Sequence, residues 1–287
     1  MLIPFPAGTG NDVVGRIVGK KLSEYLGQAV VADNRPGAFG NIAVDIARRA
    51  TPDGYTVIVA SSSFSINRWT MLSATYSVGD FTPIALIGKQ PYSLMVTKST
   101  PAKDIHELID LIRKKPGEYN GAQGSGTGYF LLSVLRKTAG IELESVAYKG
   151  TTEAVMDLVA GRVQLLFAPI TTSLPYYGTG EVRIFGVSGS ERSQLMPEVP
   201  TFTESGFPAL DIPTWFAMLA PKGMATADVN ILSGAVAKAL ALPEVTDPLA
   251  KNGIAAGYAS PRELETFLND DMTRWSEIVK ASGFTPQ

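Results

Sequence analysis

Pro6-Ala7-Gly8-Thr9-Gly10-Asn11-Asp12 joins a short apolar start at Met1–Pro4 to the first amphipathic helical pattern. Glycines there permit tight turning and close approach of backbone to a ligand. The helix start behind them presents unpartnered N–H groups and the positive end of a dipole, which suits an anion. The same residues also fit a plain strand-to-helix turn with Asp12 as N-cap. Phe5, on the approach, is grouped with Ala7, Gly8, Thr9, Gly10, Asn11 and Asp12 as a candidate contact. A second segment, Gly121-Ala122-Gln123-Gly124-Ser125-Gly126-Thr127-Gly128, precedes the helical pattern at Tyr129. So many glycines raise the entropy cost of folding, and a plain turn does not need them. Gly124, Ser125, Gly126, Thr127 and Gly128 read either as an oxyanion cradle of N–H and hydroxyl donors or as a flexible surface loop.

Two further segments carry polar groups at helix or strand ends. Tyr148-Lys149-Gly150-Thr151-Thr152-Glu153 places Lys149 just ahead of a helix capped by Thr151 or Thr152, a charge for a ligand or a solvated side chain. Ser61, Ser62 and Ser63 follow the apolar run Thr56–Ala60, and the carboxyl ends of strands are where open α/β sheets bind ligands. Trp215 begins a late apolar run and reads equally as pocket wall or core.

Enzyme chemistry finds little support. The glycine loops miss GxGxxG, because Tyr129 and Val13 stand where the last glycine belongs. Neither a GxxxxGK[ST] phosphate loop nor a GxSxG elbow occurs. With no cysteine and one histidine, a Cys/His zinc site is excluded, and His106 sits beside Asp104 and Glu107 at a helix start. No catalytic residue, metal or cofactor is expected.

The elements that must position these loops follow from hydrophobic periodicity. Val13, Val14, Ile17, Val18, Leu22 and Leu26 recur at helical spacing until Gly27. Strands are expected at Ala29–Ala32, Tyr55–Ala60, Thr82–Ile87, Ser93–Thr97, Val163–Ala168, Arg183–Ser188 and Trp215–Ala220. Helices are expected at Gly40–Ala50, Asp104–Lys115, Tyr129–Ala139, Thr152–Ala160, Ala227–Leu242 and Pro261–Ser282. The last opens with Ser260-Pro261-Arg262-Glu263, a capping box. Alternating strands and helices give an α/β fold with βαβ units. At 287 residues, one large domain or two smaller ones fit. The simplest division is a first lobe from both chain ends, 1–99 plus 222–287, with 100–221 inserted between crossings near Lys98–Pro101 and Ala220–Gly223.

Charge is balanced, 25 basic against 27 acidic residues for a net −2, which argues against nucleic acid or an anionic membrane as partner. No apolar stretch reaches the ~18–20 residues that span a bilayer. The abrupt start at Met1-Leu2-Ile3-Pro4 leads us to expect a leader and some strand residues upstream.

Six motifs in register then point to a family. They are Pro4-Phe5-Pro6-Ala7-Gly8 with Asp12 and Arg16, Asn34-Arg35-Pro36-Gly37-Ala38 with Gly40-Asn41, Pro52-Asp53-Gly54-Tyr55-Thr56, Pro101-Ala102-Lys103, Tyr148-Lys149-Gly150, and Trp215-Phe216 with Leu219-Ala220-Pro221. The chain resembles the Bug family, the TctC-like substrate-binding receptors of tripartite tricarboxylate transporters, over nearly its whole length. The resemblance implies a type II periplasmic-binding-protein fold: two α/β lobes with mixed sheets, joined by two crossing strands, with the ligand in the cleft. It implies a periplasmic, monomeric receptor, its signal peptide removed, that passes a small organic carboxylate to membrane transporter subunits. It also implies that the first loop, the glycine loop and Ser61–Ser63 hold a carboxylate, often through ordered water. The family often has His-Leu where this chain has Phe130-Leu131, and Asp or Asn where it has Ala168-Pro169-Ile170. The resemblance therefore points to a less polar acid, aromatic or short aliphatic, with Tyr129, Ala168, Pro169, Ile170 and Trp215 as pocket walls. A sensor of the same acids and an enzyme on the same scaffold are the alternatives.

Overall fold

A computed structural model describes residues 1–282 and 284–286. The chain begins with β1 (Leu2–Ile3), α1 (Gly10–Leu26), β2 (Asp33–Asn34), α2 (Asn41–Arg49), β3 (Ile58–Ser61), α3 (Ser63–Thr70) and β4 (Phe81–Gln90). It continues through β5 (Tyr92–Thr97), α4 (Ile105–Lys114), β6 (Asn120–Gln123), α5 (Gly126–Ala139), β7 (Glu144–Ala147), α6 (Thr151–Val159), β8 (Leu165–Pro169), α7 (Ile170–Ser173) and β9 (Val182–Val187). The last stretch holds β10 (Thr214–Pro221), α8 (Thr226–Leu240), α9 (Pro243–Lys251), β11 (Ala255–Ala259) and α10 (Pro261–Ser282).

Two compact units result, one of Met1–Lys89 with Trp215–Gln287 and one of Gln90–Thr214. The chain passes between them at Lys89–Gln90 and Thr214–Trp215, earlier than Lys98–Pro101 and Ala220–Gly223. Thr100-Pro101 and Pro221-Lys222-Gly223 instead end the strands β5 and β10 that follow each passage.

Among the described residues the first unit carries a six-stranded sheet in the order β11-β4-β10-β3-β1-β2, and the second a five-stranded sheet, β7-β6-β8-β5-β9. Both are mixed and share one plan. In the first, β1 lies parallel to β2 and β3, and β10 runs antiparallel on β3. In the second, β6 lies parallel to β7 and β8, and β5 runs antiparallel on β8. Each antiparallel strand is the first element laid down after a passage between units. A common plan recurs without a sequence repeat.

Period-2 alternation builds the first core. Ile3, Val57, Val59, Phe216, Met218 and Ala220 face one side of the sheet, covered by α1, α8 and α9 through residues such as Val14, Val18, Val236 and Leu249. Leu2, Ile58, Ala60, Trp215, Ala217 and Leu219 face the other, covered through Ala43, Val44, Leu264 and Leu268 of α2 and α10. Strands buried on both faces read as unbroken apolar runs, which is why β3 and β10 stood out in the sequence. The capping box is present too, with Ser260 N–H donating to Glu263 Oε2 at 2.8 Å and Glu263 N–H to Ser260 Oγ at 3.4 Å.

Several elements differ from expectation. Ala29–Ala32 is not a strand; the pairing starts at Asp33↔Leu2, because β1 offers only Leu2 and Ile3 as partners. The expected helix to Leu242 stops at Leu240, and α9 restarts at Pro243. β6, β7, β11 and α3 were not expected; Asn120-Gly121-Ala122-Gln123 lacks any β-branched residue, so pairing with β7 and β8 makes it a strand.

Trp215 lies in this core, 2% exposed, with its ring edge-on to Phe267 at 5.7 Å. Its indole N–H donates at 2.9 Å to Oδ2 of Asp271, itself 4% exposed. Trp215→Phe keeps most of the apolar contact but strips a buried carboxylate oxygen of its donor. The expected loss is about 1–3 kcal/mol in urea unfolding; a loss below about 0.5 kcal/mol would show that the indole bond is not what retains tryptophan here.

Candidate functional site

In the first unit the loop after β1 is held by bonds that leave its leading helix N–H groups unused. Thr9, not Asp12, is the N-cap, and its hydroxyl donates to Pro6 O at 2.7 Å rather than capping the helix. Asp12 is the third residue of α1, and its carboxylate accepts from Gly8 N–H (3.0 Å), Arg16 Nε (2.8 Å) and Asn34 Nδ2 (3.0 Å). Gly8 adopts φ 80°, a conformation that favours glycine, where its N–H meets Asp12. Asn11 donates to Val59 O at 2.7 Å and so ties the loop to β3. Gly10, Asn11 and Asp12 occupy the first turn, where N–H groups have no helical acceptor. Ala7 and Gly8 are exposed; Phe5 and Thr9 to Asp12 are buried.

Beside this loop Ser61 ends β3, Ser62 stands at the N-cap of α3 and Ser63 opens that helix, all three buried. The next turn is strained: Ala38 and Phe39 have φ 46° and 51° between Gly37 and Gly40, at roughly 1–2 kcal/mol for each non-glycine residue. Phe5, Phe39, Ser61, Ser63 and Asn67 border a recess of about 10 Å³, room for about one water.

In the second unit the glycine loop follows β6. Ser125 caps α5, its hydroxyl accepting from Gly128 N–H at 3.0 Å. Two of the glycines are required by packing: a Cβ on Gly124 would meet Thr151 Cα at 2.7 Å, and one on Gly128 would meet Phe167 O at 2.7 Å. Thr151 does not cap α6 but donates its hydroxyl to Gly124 O at 3.2 Å, joining two of the expected segments. Tyr92 was missed. Its hydroxyl lies 3.1 Å from Ser125 Oγ and also hydrogen-bonds Thr127. Burial pushes the Tyr92 pKa up against those two bonds, so the phenol keeps its proton. Nothing local marks Tyr92, because its partners lie more than thirty residues away.

A model of the tripartite tricarboxylate transporter family receptor matches residues 14–284. The chain belongs to this family. Its fold is that of periplasmic binding proteins. BugD, a periplasmic binding protein, superposes with a TM-score of 0.95 at 28% identity, over 100% of this chain and 98% of its own. A protein of R. palustris solved with adipate gives 0.94 at 32% identity, covering 100% and 97%. MatC from Rhodopseudomonas palustris, with bound malate, gives 0.91 at 28%, covering 97% of each.

The remaining expected contacts differ in burial. Lys149 is exposed, and its N–H donates to Glu153 at 3.3 Å. Ala168 packs among Met95, Ala122 and Leu166, and Ser93 Oγ donates to its carbonyl at 3.1 Å. Ile170 is buried with Val187, Met196 and Val199. Those two side chains, like Trp215, are core; Pro169 and Tyr129 keep some exposure. His106 is exposed beside Phe207 on α4.

Burial pushes the Asp12 carboxyl up, but its bonds from Arg16, Gly8 and Asn34 outweigh that and hold it below the usual 3.8. A depressed folded value stabilises the native state above the unfolded value, and the contribution fades as pH falls through the folded one. Asp12→Asn is therefore expected to cost about 1–3 kcal/mol at pH 7, the gap to wild type closing below about pH 4. Urea unfolding at several pH values checks this; a gap that does not change with pH would remove the carboxylate charge from the loop's stability.

Proposed function

We propose that this chain is a periplasmic solute-binding receptor that captures a small organic carboxylate. It hands the acid to the membrane subunits of a tripartite tricarboxylate-type transporter, and it performs no chemistry on it. The observation that carries this reading is the same device in both units. Each has a helix start at the carboxyl end of a parallel strand, with leading N–H groups kept out of local bonding, Gly10 on α1 and Gly126 on α5. Family membership supports the transport role, and the adipate and malate in similar proteins support an acid as cargo.

The donors are neutral. Each N–H bond to a carboxylate oxygen contributes about 1.5–3 kcal/mol. Several together reach about −8 kcal/mol, micromolar affinity. Arg16, the cation beside the first loop, is bonded to Asp12 at 2.8 Å and to Asn34 at 2.9 Å. Neutral donors avoid burying an unpaired charge when the ligand leaves.

Proline at the first helical position removes one N–H and leaves the helix intact. Thr9 (φ −79°, ψ 164°) and Ser125 (φ −160°, ψ 162°) are already extended, as a residue before proline requires. Gly10→Pro and Gly126→Pro are each expected to weaken the tightest-binding acid about 10-fold or more in calorimetry, ~1.4 kcal/mol. Gly10→Ala and Gly126→Ala, which keep the N–H, are expected to weaken it less. Equal losses from alanine and proline would assign the effect to bulk. An absence of heat from adipate, succinate, malate and benzoate at millimolar concentration would end the carboxylate reading.

A further inference from the structure

Gly37, Ala38, Phe39 and Gly40 form an unbroken run of positive φ, at 131°, 46°, 51° and 98°. Glycine adopts such angles freely, whereas a bulky aromatic is poorly suited to them. The turn is nevertheless held in place with care. Asn67, 1% exposed, donates its amide to Phe39 O at 2.9 Å and to Asn41 Oδ1 at 3.0 Å. The buried Tyr76 hydroxyl lies 3.1 Å from the same Asn41 oxygen and 3.0 Å from Phe64 O. Meanwhile Asn67 Oδ1 is itself buried without a hydrogen-bond partner. A buried network thus fixes the backbone of the residue least compatible with that backbone.

The ring's location supplies a reason. Phe39 is half-buried and borders, with Phe5, Ser61, Ser63 and Asn67, the recess beside the ends of β1 and β3. Glycine at this position would relieve the turn and leave the network in place, so folding alone does not explain the ring. We infer that Phe39 is a specificity-determining residue of the receptor: its ring is the wall against which the carbon skeleton of the bound acid lies, and it favours acids whose skeleton carries no hydroxyl. The inference rests on the carboxylate-receptor reading. An aromatic face offers a hydroxyl no hydrogen-bond partner, so a hydroxylated carbon held against the ring, turned away from Ser61, Ser63 and Asn67, gives up water contacts without replacement.

Succinate and malate differ by a single hydroxyl and form the test pair, with adipate as a longer unhydroxylated acid. In calorimetry the wild type is expected to bind the better of succinate and adipate at least about 10-fold more tightly than malate. Phe39→Gly is expected to reduce that preference to about 2-fold, with a melting temperature equal to or above wild type. Phe39→Asn, which tolerates the same backbone, is expected to do likewise and serves if the glycine variant fails to fold. A wild type that prefers malate, or a preference unchanged in the folded variants, overturns the inference and leaves the receptor reading intact. A lower melting temperature with unchanged preference also overturns it and makes the ring a packing residue. Binding of none of these three acids removes this inference, and silence from benzoate as well removes the receptor reading with it.

Discussion

Asp12 carries a buried negative charge at the loop proposed to hold an anion, and the bonds around it resolve that conflict. Desolvation alone would favour protonating it. Three donors, two of them four residues away along the chain and one twenty-two, oppose this: Gly8 N–H, Arg16 and Asn34. Because these saturate the carboxylate, its charge is directed into the loop. Arg16, bonded to Asp12 and Asn34, is neutralised in the same step. What remains at the loop surface is the partial positive charge of the first helical turn, with Thr9 turned back to Pro6. The Asn34 amide, which also donates to Phe5 O at 2.9 Å, extends the same bracing to β2 and to the approach residue.

The second unit reaches a similar helix start by different means. Ser125 does cap, and the rigidity comes from packing: Gly124 and Gly128 lie so close to Thr151 and to Phe167 O that no side chain fits. The hydroxyls of Ser125 and Thr127 are held by Tyr92, a buried neutral phenol. One loop is braced by charge, the other by contact. The two should respond differently to acid, since protonation of Asp12 loosens the first and Tyr92 stays neutral through the acidic range.

What could be read from the sequence was what neighbours in the chain decide. The helices after the first loop and the glycine loop, the capping box at Ser260 and the apolar runs of β3 and β10 are local patterns, and each appears, although α1 starts at Gly10 and α5 already at Gly126, inside the run of glycines. Ser61–Ser63 was legible as a strand end but not as the start of α3, because serine suits a turn and a helix cap alike. The glycines of the second loop drew attention because a plain turn does not need so many, and two of them are required by close approach to Thr151 and Phe167. Tyr92 and Asn67 left no trace, since their roles are set by partners brought near only by folding. For Trp215 the sequence left pocket wall and core equal, and the structure buries it, as it buries Ala168 and Ile170. Apolar residues beside a motif look like pocket walls until the sheet faces they occupy are known.

Strain singles out one turn that sequence pattern does not. A left-handed turn of glycines costs a fold little, and Gly37 and Gly40 use that freedom. Phe39 forfeits it, and Asn67 leaves a buried oxygen unpaired while fixing the Phe39 carbonyl. Each departure lowers stability, and both fall in the same few ångströms of one strand-end recess. Other buried polar atoms also lack a partner, Gln90 Nε2 and Thr100 Oγ1 among them, so it is the run of positive φ through Phe39, and not the unpaired oxygen, that sets this turn apart. It lies beside the carboxyl end of β3, the edge where α/β sheets bind ligands. A receptor can tolerate that loss, because bound acid stabilises the native state by mass action and returns part of what the turn gives up.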